Sequence, residues 1–207
     1  FEPPNDIPEL LVKYIFTSEA LSVQVHPSDS QTIAQGIGKQ GKEECWLVLD
    51  TKPDAKIGIG FNETIDIPTM HAAALDGSIE RLITWHSVET GDFFYIPSNT
   101  VHAIGAGISL IEIQQNSDIT YRLYDYGRPR ELHLDNGLSV AKGEPYPNGF
   151  KKNASNSENV VLVDGPHFRL DQVSGLPSEH VVARYNNKLL VIPREGSVQI
   201  SGQTFAP

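Results

Sequence analysis

The segment LSVQVHP, residues 21–27, holds the densest group of side chains that could do chemistry. Gln24 and His26 are two residues apart on a predicted strand, so their side chains point to the same face as that of Ser22. Polar groups on one face of an otherwise apolar strand are costly unless that face lines a wet cavity or a metal site. An edge strand with this face toward solvent explains the pattern as well.

A second signal is GDFFYIPSNTVHAIGAG, residues 91–107. Its order of glycine, five residues, proline, four residues and histidine resembles the second motif of cupin proteins, whose metal-binding histidine falls on His102. That motif usually has glycine two residues after the proline. Asn99 stands there, and asparagine is the next most tolerant residue of a left-handed backbone. We therefore predict a metal ligand at His102, the alternative being a solvated loop histidine.

A third signal is GKEECW, residues 41–46, at the start of a predicted strand. Glu44 shares a strand face with Trp46, and a carboxylate at the mouth of a buried strand is a candidate metal ligand. The alternative is a solvated charge where the strand begins. Cys45 points the other way and is expected to be a small core residue.

These signals give one candidate metal-binding set, which consists of Gln24, His26, Glu44 and His102. Two imidazoles and a carboxylate suit zinc, whereas an amide oxygen is a less typical ligand. Iron, manganese and cobalt remain open on this ligand list. A catalytic site would also need an open coordination position for water or substrate.

The elements that must position these residues are predominantly β-strands. Short apolar runs separated by turn signals are typical of a β-sandwich or barrel. Strands are predicted at residues 10–16, 20–26, 45–49, 56–61, 92–96, 108–115 and 119–125, and again at 159–163, 168–173, 180–185, 188–192 and 197–201. Residues 28–41 are predicted to be a polar loop. Apolar residues at helical spacing around Asp76 and Gly77 predict two short helices within residues 68–86.

We predict a mainly β chain with two units. Residues 1–140 form a metal-binding cupin (jelly-roll) barrel with the helical insertion 68–86, and residues 141–158 form a linker or loop. Residues 159–207 form a second, smaller cupin-like β unit that is truncated and binds no metal. Both ends of the chain look trimmed, since it opens on Phe1 and stops just after a strand-like run.

The composition indicates which binding partners and which cellular compartment to expect. The net charge of −10 disfavours nucleic acid and anionic membranes, so a phosphorylated substrate would need a few cations placed in a pocket. The single cysteine predicts a reducing compartment. With neither a membrane-length apolar run nor a signal peptide in the sequence, we expect a cytoplasmic protein.

Four segments together resemble the type I mannose-6-phosphate isomerases, particularly their shorter bacterial forms: VKYIFTSEALSVQVHPSD, GKEECW, IPSNTVHAIGAG and QQNSDITYRLYDYGR. The resemblance is dense from about residue 10 to residue 140. It implies interconversion of mannose 6-phosphate and fructose 6-phosphate through an enediol, with one zinc ion per chain. The family's zinc ligands fall on the four residues named above.

The resemblance also implies an active-site set: Ser22, Lys42, Arg122 and Glu112. Longer family members carry a histidine immediately before the lysine, and here that position is Gly41. A lysine this close to a dication is expected to have a lowered pKa. Lys42, Glu112 and a metal-bound water all remain candidates for the base. Lys42 is equally a candidate for binding the substrate, like Ser22 and Arg122, through its phosphate or a hydroxyl.

Arg122 could bind the phosphate, the sugar hydroxyls or the enediolate, or instead form a structural ion pair with Glu112 or Asp125. The other histidines are expected to be surface or packing residues: His71, His86, His133, His167 and His180.

Two further functions remain possible. One is a cupin that binds a sugar phosphate without turning it over, as a sensor or regulator. The other is an oxygenase or a different metal-dependent cupin enzyme.

Overall fold

A computed structural model describes residues 8–154, 159–185 and 189–207. Its main body consists of two five-stranded antiparallel sheets. In spatial order, sheet 1 contains β1 (Leu10–Phe16), β8 (Ile108–Gln115), β3 (Glu44–Thr51), β6 (Asp92–Ile96) and β10 (Lys151–Asn153). Sheet 2 contains β5 (Ile83–Ser87), β4 (Lys56–Phe61), β7 (His102–Ile104), β2 (Val23–Val25) and β9 (Tyr121–Tyr124).

The two sheets face each other across an apolar core, because alternate residues of each strand point inward. On β3, Trp46 and Val48 are fully buried between the sheets. Cys45 and Leu47 point to the outer face of sheet 1, where Cys45 is 1% exposed, as predicted. This arrangement is the cupin barrel expected from the sequence.

Three helices cover the outer face of sheet 2: α2 (Ile67–Asp76), α3 (Ile79–Leu82) and α4 (Leu134–Val140). Gly77 ends α2 in the left-handed region with φ 79°, at the break expected from the sequence. The predicted helical insertion 68–86 extends too far, because residues 83–87 form β5. Ile83, Thr84 and Trp85 are the β-branched and aromatic types that favour strands.

One helix lies within the loop predicted at residues 28–41. Helix α1 (Asp29–Ala34) starts at Ser28, whose side chain accepts from the backbone of Gln31 while the Gln31 side chain accepts from the backbone of Ser28. This capping box was readable in the sequence as Ser-x-x-Gln. The loop prediction missed it because the helix spans only six residues.

The C-terminal part begins with a hairpin of β11 (Asn159–Asp164) and β12 (Arg169–Val173). Apolar side chains of this hairpin pack on the outer face of sheet 1. Beyond it lie α5 (Glu179–Ala183), β13 (Val198–Ile200) and β14 (Gln203–Phe205).

Three predictions need correction here. The strand predicted at 180–185 is instead α5, which Ser178 caps by accepting from Val181. Residues 189–192 form no strand, and residue 188 lies outside the described residues. Part of the predicted linker 141–158 is β10, which pairs with β6, while 155–158 lie outside the described residues. The division into a metal-binding unit and a second cupin-like unit stays a prediction.

Among the described residues, the helices are all too short or too polar to cross a membrane.

Candidate metal centre

Three side chains from the two facing sheets meet inside the barrel. Glu44 comes from β3, His102 from β7, and His26 directly follows β2. Glu44 Oε1 lies 3.4 Å from His102 Nε2, and Glu44 Oε2 lies 3.5 Å from His26 Nε2. One ligand atom from each residue falls within 4.8 Å of the others, and all three side chains are buried. The spacing and burial suit a single metal ion.

The two imidazoles are oriented so that each points an unprotonated ring nitrogen at this cluster. His26 Nδ1 donates to the carbonyl of Ile119 at 2.9 Å, and His102 Nδ1 donates to the carbonyl of Thr100 at 2.8 Å. A carbonyl can only accept, so the proton is on Nδ1 and the lone pair is on Nε2. Burial lowers the pKa of His102 to about 4, and it also lowers the pKa of His26 well below the ordinary value. Both rings are therefore neutral at pH 7, the form that binds metals.

Glu44 supplies the test of whether a cation fits. Within the described residues neither of its buried carboxylate oxygens has a hydrogen bond, although the Lys42 ammonium lies 3.1 Å from Oε2. Oε1 faces the lone pair of His102 Nε2 at 3.4 Å, which is unfavourable unless a further cation lies between the two atoms. Two neutral imidazoles and this carboxylate form a donor set that binds a divalent transition metal. The interpretation of Glu44 as a solvated charge is wrong.

Gln24 on β2 and Ser22 directly before this strand extend the cluster. Gln24 lies directly opposite His102 in the sheet, with its amide nitrogen 3.3 Å from His102 Nε2. Ser22 Oγ donates to Gln24 Oε1 at 3.3 Å. A half-turn of the amide would present the oxygen to the cluster instead. Strand β2 lies between β7 and β9, so the solvent-facing edge strand considered from the sequence is wrong.

Lys42 is buried beside two residues of the His26–Glu44–His102 cluster. Its Nζ lies 3.1 Å from Glu44 Oε2 and 3.2 Å from His26 Nε2, and the residue is 5% exposed. Burial alone would lower the pKa of Lys42, but the carboxylates of Glu44 and Glu112 outweigh it and raise the pKa. The lowering expected from the sequence depends on a bound dication and stays a prediction. The ammonium is charged at neutral pH.

Gly41, before this lysine, is pressed against the chain that follows His26. A Cβ at position 41 would lie 2.3 Å from the carbonyl oxygen of Pro27 and 2.6 Å from the carbonyl carbon of Ser28. Both atoms are backbone, so no side-chain movement could make room. Glycine is therefore the residue that this backbone path requires at position 41.

We expect Gly41→Ala to cost about 1–3 kcal/mol of unfolding free energy, since overpacking against backbone forces the chain to shift. Gly149→Ala is the matched control, because a Cβ there meets nothing within 4 Å. Denaturant titration of the two variants and the parent chain measures the cost. Equal midpoints for the two variants would contradict the steric argument.

Glu112 faces the barrel interior beside the cluster. Trp46 Nε1 donates to its Oε2 at 3.2 Å, and Lys13 Nζ donates to its Oε1 at 3.0 Å. Burial, together with the Glu44 carboxylate, raises the pKa of Glu112 despite the opposing charges of Lys42 and Lys13. Sequence reasoning missed Lys13. The signal was a lysine on the same strand face as Ile15, a face that points into the core.

Arg122 lies next to Gln24 across the β2–β9 pairing and is half-buried. The ion pairs considered for it are wrong, because Glu112 pairs with Lys13 and Asp125 pairs with Arg128 and Arg130. In the described ranges the Arg122 guanidinium has no ion-pair partner. It is therefore available to an anion.

The remaining histidines lie outside this cluster. His71 and His180 are exposed. His133 Nδ1 accepts from the backbone of Arg122 at 3.2 Å, and His86 packs on Phe94 and Tyr146. These match the expected surface and packing roles. His167 has carboxylate neighbours, which the sequence did not suggest.

Comparison with known proteins identifies the relatives. No protein-family model matches the chain. It is 44% identical to the mannose-6-phosphate isomerase ManA of Bacillus subtilis over 146 residues. This match covers 67% of this chain and 45% of the relative. It is 34% identical to the mannose-6-phosphate isomerase of Streptococcus mutans over 213 residues. This match covers 95% of this chain and 65% of the relative.

A solved structure agrees with these sequence matches. The crystal structure of mannose 6-phosphate isomerase from Bacillus subtilis superposes with a TM-score of 0.68 at 33% identity, over 78% of this chain and 54% of that one. The chain thus spans about half the length of the Bacillus subtilis proteins. Sequence identity, the cupin barrel and the His-Glu-His cluster together show that the chain belongs to the mannose-6-phosphate isomerase family.

Proposed function

We propose that this chain carries the active site of a zinc-dependent aldose–ketose isomerase that interconverts mannose 6-phosphate and fructose 6-phosphate. The observation that carries the proposal is the buried Glu44 carboxylate, which lies between two neutral imidazoles with Lys42 beside it. The names of the relatives supply the substrate pair.

His26, Glu44 and His102 would hold the metal, with Gln24 as a fourth ligand through its amide oxygen. Nitrogen and oxygen donors of this kind favour zinc over magnesium or calcium. When bound, the metal supplies a Lewis acid that polarises the sugar carbonyl. All four residues keep their expected role as proposed ligands.

The other residues divide the remaining work. Lys42 contacts two of the proposed ligands, so it lies at the reacting end of the substrate and can move or stabilise a proton there. Glu112 has a raised pKa and is close enough to feel the charge of Glu44, which suits a carboxyl that takes up and returns a proton. Ser22 and Arg122 continue the polar face along β2 and β9 and would bind substrate oxygens.

A coupled assay of mannose 6-phosphate turnover by the chain, before and after chelation, tests the proposal. We expect turnover that is lost with the metal and restored by zinc. Binding of the sugar phosphate without turnover would instead support a sensor. Oxygen uptake without isomerisation would support an oxygenase.

We expect Arg122→Lys to weaken transition-state binding by about 1.5–3 kcal/mol, the usual contribution of a charged hydrogen bond. The planar guanidinium can bind a phosphate or an enediolate at two points, whereas an ammonium is a point charge. The measurement is kcat/KM for mannose 6-phosphate. Arg169→Lys is the control, since Arg169 is half-exposed in the C-terminal hairpin. An unchanged kcat/KM in Arg122→Lys would remove it from the substrate site.

A further inference from the structure

A second cluster of titratable side chains lies on the opposite face of β3 from the metal centre. Glu43, between Lys42 and Glu44, points to the outer face of sheet 1 and is 5% exposed. The Tyr95 hydroxyl donates to Glu43 Oε1. His167 Nε2 lies 3.9 Å from Glu43 Oε2. A buried carboxylate next to a proposed ligand is therefore held from outside the barrel.

His167 belongs to the turn that joins β11 and β12. Its Nδ1 lies 3.4 Å from Asp29 Oδ2, so the imidazole lies between two carboxylates from different parts of the barrel. The turn is closed by a hydrogen bond from Gly165 N to Phe168 O at 3.1 Å. Phe168 is buried in the outer apolar cluster and fixes the turn. The hairpin thus presents His167 at a defined place.

Both carboxylates belong to a network that holds the segment carrying Lys42. Asp29 Oδ1 accepts from Gly41 N at 2.7 Å and from Gln115 Nε2 at 3.0 Å. Gln115 Oε1 accepts from Glu43 N at 2.9 Å. The residues directly before and after Lys42 are therefore both tied to this network.

We propose that His167 is a positioning residue that couples docking of the β11–β12 hairpin to the placement of Lys42 and Glu44. Its kinetic consequence rests on the proposed isomerase function, whereas its effect on metal binding does not. Metal affinity depends steeply on how ligands are held, and loss of a supporting contact typically costs 10–100-fold. The C-terminal hairpin is then part of the metal centre's support.

Cobalt titration of the chelator-treated chain, followed by its visible absorption, tests this coupling. We expect His167→Ala to weaken Co²⁺ binding about tenfold and to change the spectrum, because Glu44 is displaced. The Co²⁺ affinity of His167→Gln should fall between those of the parent chain and His167→Ala, since an amide can still donate to one carboxylate. Circular dichroism checks that the barrel remains folded. In kinetics, kcat should fall more than KM rises.

Lys152→Met is the matched control. Lys152 Nζ holds the same hairpin by donating to the carbonyls of Val161 at 2.8 Å and Leu162 at 2.9 Å, and it contacts neither carboxylate. We expect this variant to bind Co²⁺ like the parent chain, because the apolar side chains of the hairpin still dock it on sheet 1 and leave His167 in place. An unchanged affinity and spectrum in His167→Ala would overturn the inference, as would an equal loss in Lys152→Met. Parent chain that binds Co²⁺ but never isomerises mannose 6-phosphate would refute the proposed function alone.

Discussion

Replacing His102 with alanine should remove the bound metal and abolish isomerase turnover while the barrel stays folded. The variant deletes one of the two neutral imidazoles and leaves Glu44 with fewer partners. Metal analysis after dialysis should show sub-stoichiometric zinc, and the coupled assay should give no rate above background. The apolar core between the sheets is made by other residues and should persist in circular dichroism.

His86→Ala is the control for this experiment. His86 is half-buried inside the same barrel and packs on Phe94 and Tyr146, away from the cluster. Its removal should lower the melting temperature without changing zinc content or rate. Full zinc occupancy in His102→Ala would show that His102 is not a ligand.

Lys42→Met should lower kcat by about 10²–10⁴-fold, the usual contribution of a group that transfers or stabilises a proton, with little change in KM. The methionine keeps most of the buried volume but removes the ammonium beside His26 and Glu44. Zinc affinity should not fall, because the lost charge repels a dication. The measurements are steady-state kinetics and zinc titration of the same preparation.

Lys39→Met, three residues upstream on the exposed loop, should leave all three quantities unchanged. A higher KM with intact kcat in Lys42→Met would place Lys42 on the phosphate. Parent values for both constants would show that its ammonium contributes nothing to the reaction.

Local spacing was enough to predict most strands and the cluster itself. Gln24 and His26 share a face because β-strand side chains alternate, and the same rule separates Glu44 from Cys45. The left-handed backbone expected at Asn99 is present, with φ 71°. Each of these features depends on neighbours within a few residues.

Contacts set by strand register could not be read in this way. Lys13 meets Glu112 only because β1 pairs with β8, and 99 positions separate them. Charge and spacing could suggest a partner for Arg122, but they could not show that Lys13 and Arg128 already occupy its two candidates. Helix α5 was misread because Val181 and Val182 favour strands, whereas the Ser178 cap decides the local structure.

The close backbone contact at Gly41 has an evolutionary consequence. The longer enzymes of the family carry histidine at the equivalent position, yet any Cβ here collides with Pro27 and Ser28. We therefore expect Gly41→His alone to destabilise this chain, whatever the imidazole could contribute to catalysis. The backbone of residues 27–29 has to move first, and only then can position 41 accept a histidine without this cost. The effect of histidine at position 41 is thus expected to depend on the main chain of residues 27–29, a case of epistasis.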